Sequence, residues 1–428
     1  PATGNYIVKS RLAIGNISYP ASVISKGESL AFSSNNMPQL IINSTASVVF
    51  GALKDSLPQE GVNVKFRSNS TDDVLLDVAG GEVAFYDSYL TDTGAAWGKF
   101  VYRGACGSGS TYSAVNTSLT IKKTILDRVS RGQFIYTSNV SIDDLKINRI
   151  NSSSAYGFGL VSACNMPSLS NLQIYHQELN GSAIQTTNST PVNATLTITS
   201  SILRYNAKDV VATGDGRGVQ LINTEWNRTY GWNFGGANGS GAVTIKEAYG
   251  FLPTITDSSG NALVNTSIEA MDIFGTRTFL LMTGADGKIA EQNMPTWQVE
   301  KTTTAEMITN FNPYTVKTKK YGKTFVSDAK SFAARTVETK QLTDSPFTNR
   351  SEAEAKAQTG ISYISPAKVS YGAEIHTNCS STCRLDAYPV TQSEFFVIFA
   401  NGTKLLEGAS YNYTINYATG IITFLQNF

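Results

Sequence analysis

Charge is what this sequence has least of. Asp, Glu, Lys and Arg make up 16% of its 428 residues, against roughly 25% in an average globular protein. The 34 basic and 33 acidic residues nearly cancel, so no basic field gathers phosphates and nucleic acid is not an expected partner. Histidine is confined to His176 and His376. That leaves no Ser/His/Asp or Cys/His set for nucleophilic catalysis and too few ligands beside the cysteines for a zinc site. No cofactor or metal site is expected. Apolar runs never approach the ~18 residues that span a bilayer, so no transmembrane segment is expected. The opening residues lack a charged-then-apolar leader. The chain is therefore expected to be a mature product whose leader has been removed or whose anchor lies elsewhere. Four cysteines are too few to be the main scaffold of so long a chain.

In place of charge the sequence is rich in small polar residues. Ser and Thr fill about a fifth of all positions. Sixteen Asn-x-Ser/Thr acceptor triplets begin at Asn16, Asn43, Asn69, Asn116, Asn139, Asn151, Asn180, Asn188, Asn193, Asn227, Asn238, Asn265, Asn349, Asn378, Asn401 and Asn412. With that share of Ser and Thr, chance places about a fifth of asparagines in such triplets, whereas here it is close to half. Composition alone is the competing explanation. The functional reading is a secreted chain coated in N-linked glycan at the cell surface. An oxidising compartment suits the cysteines: Cys379 and Cys383 are close enough for a local disulfide, and Cys106 and Cys164 are expected to bridge two insertions.

A repeat runs through the first half: two apolar residues spaced by one, with a further apolar position six or seven after the first. It occurs at Val83/Phe85, Leu119/Ile121, Val140/Ile142, Leu172/Ile174, Leu196/Ile198 and Val219/Leu221, with weaker members at Val64/Phe66 and Val243/Ile245. Alternation makes a half-buried strand. Recurrence at one length of roughly twenty-odd residues, with two insertions, predicts strands stacked in a parallel β-helix over 39–251, after an N-terminal strand and cap segment, 1–38. Clusters at 68–73 and 214–218 are read as corners. An antiparallel sandwich is the alternative.

Beyond residue 252 the rhythm becomes that of Asp/Gly hairpins: Asp257-Ser-Ser-Gly260, Ala285-Asp286-Gly287 and Tyr321-Gly322. Residues 252–342 resemble the carboxypeptidase regulatory-like β-sandwich modules, and the resemblance implies a spacer without catalysis. Residues 343–428 read as a linker, a short helix over 352–358 and a C-terminal β-domain in which 394–400 and 411–424 are strands. The fold class expected is thus all-β, a solenoid followed by one or two small sandwiches.

Parallel β-helices include polysaccharide-cleaving enzymes, which need clustered carboxylates. The acidic pairs Asp72/Asp73 and Asp143/Asp144 lie in or near turns and are read as solvated. Tyr230, Trp232 and Phe234 are a sugar platform or, with more weight, an inter-strand stack. The whole resembles archaeal surface proteins, those of methanogens in particular. The expected role is a self-assembling structural subunit of a surface layer, sheath or filament. Its partners would be copies of itself and covalent glycans; the strand-prone segments 6–14 and 421–425 either cap their own domains or, one or both, pair with a neighbouring subunit. A monomeric carbohydrate-binding adhesin and a polysaccharide lyase or hydrolase are the alternatives.

Overall fold

A computed structural model describes residues 5–9, 12–15, 21–25, 29–33, 38–54, 57–70, 73–94, 98–103, 118–128, 131–135, 140–151, 156–161, 168–178, 182–186, 195–213, 218–235, 242–257, 259–320, 323–342, 382–384, 397, 405–410 and 412–425. The protein is all-β, with no helix among these residues and hence none long and apolar enough to cross a membrane. The helix expected over 352–358 and the strand over 394–400 lie outside them, apart from Val397. The chain divides into two compact units, Pro1–Ala248 with Trp297–Thr309, and Tyr249–Thr296 with Asn310–Phe428.

In the first unit the strands of three ladders pair in parallel, whereas Ala52–Lys54 pairs antiparallel with Leu57–Gln59. In the first ladder Phe50, Phe85, Ile121, Ile142, Leu169, Ile198 and Leu221 follow one another as Cα partners. The second runs through Leu30, Val64, Leu90, Leu126, Ile147, Ile174 and Leu203. The third runs from Leu12 through Leu40, Leu76, Phe100, Gly132, Phe158, Ile184 and Val210 to Trp232. Alternation sends every second side chain inward, and inward residues of all three ladders share one hydrophobic cluster. Like side chains stack on like within a column: the rings of Phe50 and Phe85 lie 4.7 Å apart at 3°, and Phe85 meets Phe100 of the third ladder edge-on at 6.2 Å.

Every residue of the repeated apolar pairs is buried, but two pairs occupy a different ladder from the one the repeat assigns. Leu172/Ile174 and Val64/Phe66 belong to the second ladder. The place between Ile142 and Ile198 is taken by Leu169. Residues 1–38, expected to precede the stack, supply the opening rungs of all three ladders, as Asn5–Val8, Leu12–Ile14 and Ala21–Ser25.

The corner between the first and second ladders explains how one strand can serve both. Asp87, Lys123, Asp144, Asn171, Ser200 and Asn223 each take φ between 49° and 57° there, turning the chain within a single residue. At Gly51 (φ 85°) a Cβ would stand 2.1 Å from the Tyr86 carbonyl oxygen, so only glycine fits. Inside the corner, buried hydroxyls find acceptors in nearby carbonyls, three of which, Lys122 O, Thr199 O and Ile222 O, also accept a backbone N–H from the neighbouring rung. Ser88 donates to Tyr86 O, Thr124 to Lys122 O, Ser201 to Thr199 O and Thr224 to Ile222 O, at 2.8–3.1 Å.

The second unit contains an antiparallel sheet in the order Arg277–Met282, Ser267–Met271, Tyr314–Lys320, Lys323–Lys330. Phe251, Ile268, Met294, Tyr314 and Phe332 are among its core residues. Near the C-terminus Ile421–Phe424 is the central strand of three, between Thr382–Arg384 and Tyr413–Asn416. Tyr413–Asn416 and Ile421–Phe424 are therefore the two arms of a hairpin turning at Gly420 (φ 66°). Ile421–Phe424, in a segment read as either a cap or an associating strand, is paired on both sides within the chain.

Candidate functional site

Among the acceptor asparagines, Asn227 has the most completely built surroundings. The second-ladder strand Ile202–Arg204 and the third-ladder strand Lys208–Thr213 flank the chain at 227–231, and a buried carboxylate holds it. Asp209 accepts the Asn227 backbone N–H at 2.6 Å and the Asn206 side-chain amide at 2.9 Å. Burial pushes the Asp209 carboxyl above its ordinary value, and these two donors pull it partly back. The turn closes on itself. Gly231 N donates to Asn227 O, Trp232 Nε1 to Arg228 O and Lys208 Nζ to Tyr230 O, at 2.6–2.9 Å. Asn227 Oδ1 accepts from the backbone N–H of Thr229 and Tyr230, both at 3.1 Å, an Asx turn. Residues 227–230 are all exposed.

The other described acceptors differ. Asn69 is exposed, in a loop where Asp73 accepts its N–H at 2.8 Å. Asn265 is exposed at φ 54°, but Ser267 of its triplet is buried and donates to Lys319 O at 3.2 Å. Asn412 is half-buried and accepts the Leu406 N–H at 2.8 Å. Asn43 is half-buried within a strand, and its Nδ2 donates to Gly15 O on the neighbouring rung. Asn151 ends the strand Val140–Asn151. Asn16, Asn116, Asn139, Asn180, Asn188, Asn193, Asn238, Asn349, Asn378 and Asn401 lie outside the described residues.

The chain matches no family model, curated protein or solved structure. Its own geometry is what remains to be read. Cys383 is disulfide-bonded, while Cys106, Cys164 and Cys379 lie outside the described residues. Asp143 Oδ1 accepts from Ser170 Oγ and Asn171 Nδ2, both at 2.7 Å, so this carboxylate ties two rungs together. Asp144 is one of the left-handed corner residues. Asp73 caps the turn at 69–70, and Asp72 is outside the described set. Of the aromatic trio, Trp232 and Phe234 are half-buried and edge-on at 5.6 Å, with Trp297 6.0 Å from Trp232 and 5.6 Å from Trp226. Tyr230 stands 73% exposed.

Five buried carboxylates among the described residues, Asp92, Asp127, Asp209, Glu247 and Glu269, escape a reading of the sequence by pattern. Asp92 accepts backbone N–H groups of Ser68, Gly94 and Gly98 at 2.8–3.0 Å. Glu247 follows Leu221 in the first ladder and accepts from Trp226 Nε1 at 2.9 Å and Arg228 at 3.3 Å. The available signal was an acidic residue at an inward position of an apolar alternation, as in Lys246-Glu247-Ala248.

Proposed function

We propose that this protein is a structural, N-glycosylated subunit of an extracellular cell-envelope polymer, a surface layer, sheath or filament, built on a parallel β-helix. The observation that carries the reading is the density of acceptor triplets, together with exposed asparagines at Asn69, Asn227 and Asn265 in turns of both units. Three parallel ladders around one core support the β-helix, since stacked rungs complete each other's core only when the chain winds. Such a stack is stiff along its axis and tolerates insertions at corners, which suits a part whose work is mechanical. The regulatory-like segment, 252–342, then serves as a spacer. Engagement of Asp143 with Ser170 and Asn171 favours a structural corner over an acid–base pair.

The adhesin reading draws on the exposed rings of Tyr230 and Tyr205, which offer faces to a sugar. Glycopeptide mapping and sedimentation of protein from its native source separate the two readings. A subunit carries glycan at a majority of the sixteen sites and sediments as polymer. A monomer that binds a glycan and has fewer than about a quarter of its sites occupied would overturn the proposal in favour of the adhesin.

A further inference from the structure

Transfer of an oligosaccharide to asparagine makes one bond and breaks one. Nδ2 attacks the anomeric carbon of a polyprenyl-phosphate-linked oligosaccharide, the C–O bond to phosphate breaks with its electron pair, and Nδ2 gives up a proton to solvent. The transferase must hold Nδ2 and also the hydroxyl two residues on. A folded acceptor therefore needs an unengaged Nδ2 and an exposed Ser or Thr hydroxyl. Asn43 fails on the first count, because its Nδ2 donates to Gly15 O. Asn265 fails on the second, because Ser267 is buried. Asn412 is half-buried, and Thr414 lies in a paired strand opposite Thr423.

Asn227 satisfies both. Residues 227–229 are exposed, and the amide spends its oxygen on Thr229 N and Tyr230 N. The backbone is fixed from beneath by Asp209, Lys208 and Gly231, so the triplet is presented without unfolding. A second, independent feature points to the same residue. Glu225 lies two positions before Asn227, and the bacterial form of the transfer favours an acidic residue there. Among the described acceptors only Asn227 has one. Glu225 is exposed and forms a two-pronged ion pair with exposed Arg204.

We propose that Asn227 is, among the described residues, an acceptor this protein offers after folding, whereas Asn43 and Asn265 accept glycan only from an unfolded chain. The inference rests on the glycoprotein reading above. Its test uses the full chain, made without glycosylation and folded. The chain is incubated with a single-subunit oligosaccharyltransferase that needs no acidic residue two positions upstream and with a lipid-linked oligosaccharide, and site occupancy is followed by glycopeptide mass spectrometry. Asn227 should be modified about tenfold faster than Asn43 or Asn265 in folded protein, and this ratio should collapse in urea-unfolded substrate. Thr229→Ala, which keeps the backbone donor of the Asx turn, should abolish modification at Asn227 alone. Equal rates at Asn43 or Asn265 in the folded chain, or an unmodified Asn227 while other sites accept, would overturn the inference. Native protein free of N-glycan would instead sink the glycoprotein reading and leave the folded-acceptor result standing.

Discussion

A carboxylate inside a stacked sheet survives only where donors replace its lost water, and two such groups here respond to pH with opposite sign. Burial raises the pKa of Glu269, but the charge of Lys319 at 3.4 Å and the charge and hydrogen bond of Arg277 at 2.7 Å outweigh it, leaving the group below its ordinary 4.5. Its stabilisation is therefore present above the unfolded value and lost as pH falls through the folded one. Glu269→Gln should weaken the second unit by about 1–3 kcal/mol at neutral pH. Amide exchange along Ser267–Met271 reads this directly, and wild-type protection there should fall towards the variant's below pH 4.5. Asp209 runs the other way, because burial holds its folded value above 3.8. Ionising it costs the folded state more than the unfolded one, so its contribution is most favourable below 3.8 and declines as pH rises through the folded value. Asp209→Asn should remove that decline from exchange at Val210 and Gly231. An unchanged slope would mean that another group carries it.

At the scale of the element, the corner residues govern how strands pass from one ladder to the next. A non-glycine residue held at positive φ costs about 1–2 kcal/mol, least for Asn and Asp, and Ser200 (φ 51°) has neither advantage. Ser200→Gly should raise the melting free energy by up to about 1 kcal/mol, the relief being partly offset by greater freedom of the unfolded chain. Gly51→Ala should lower it by more than about 2 kcal/mol, since strain and the approach to Tyr86 O add. These corners also mark how far the sequence could be read. Period-two alternation identifies inward residues correctly, from Val83 to Ile245, because burial and pleat leave no other arrangement. It cannot say which ladder a pair joins. Leu172/Ile174 looks like its neighbours in the repeat, yet Asn171 precedes it at φ 55° and moves it to the second ladder. Single-residue left-handed turns at Lys123 or Ser200 carry no Gly or Pro to announce them. Asn43 was equally opaque: its triplet is intact, and only the register against Gly15 shows its amide to be committed.

For the whole molecule, the two termini offer different opportunities for association. Ile421–Phe424 has a neighbour on each side and cannot accept another strand. Among the described residues, Asn5–Val8, Leu12–Ile14 and Ala21–Ser25 pair on one side only, with Ser29–Phe32 and Leu40–Phe50. A strand with a partner on one side only is a template for a further strand. Ile7 at 67% exposure adds an apolar face, and a net charge of +1 supplies little repulsion between copies. If this edge meets the same edge of a second copy the contact is isologous and closes as a dimer, whereas a different surface on the partner would propagate into a filament. Ile7→Lys distinguishes the edge from all other surfaces, because the position is exposed and a charge there blocks pairing without emptying the core. Glycosylated wild-type protein should sediment as dimer or polymer, and the variant should sediment as a folded monomer with unchanged circular dichroism. Association that survives Ile7→Lys would move the contact elsewhere, and wild-type protein that stays monomeric at high concentration would remove the structural-polymer reading altogether.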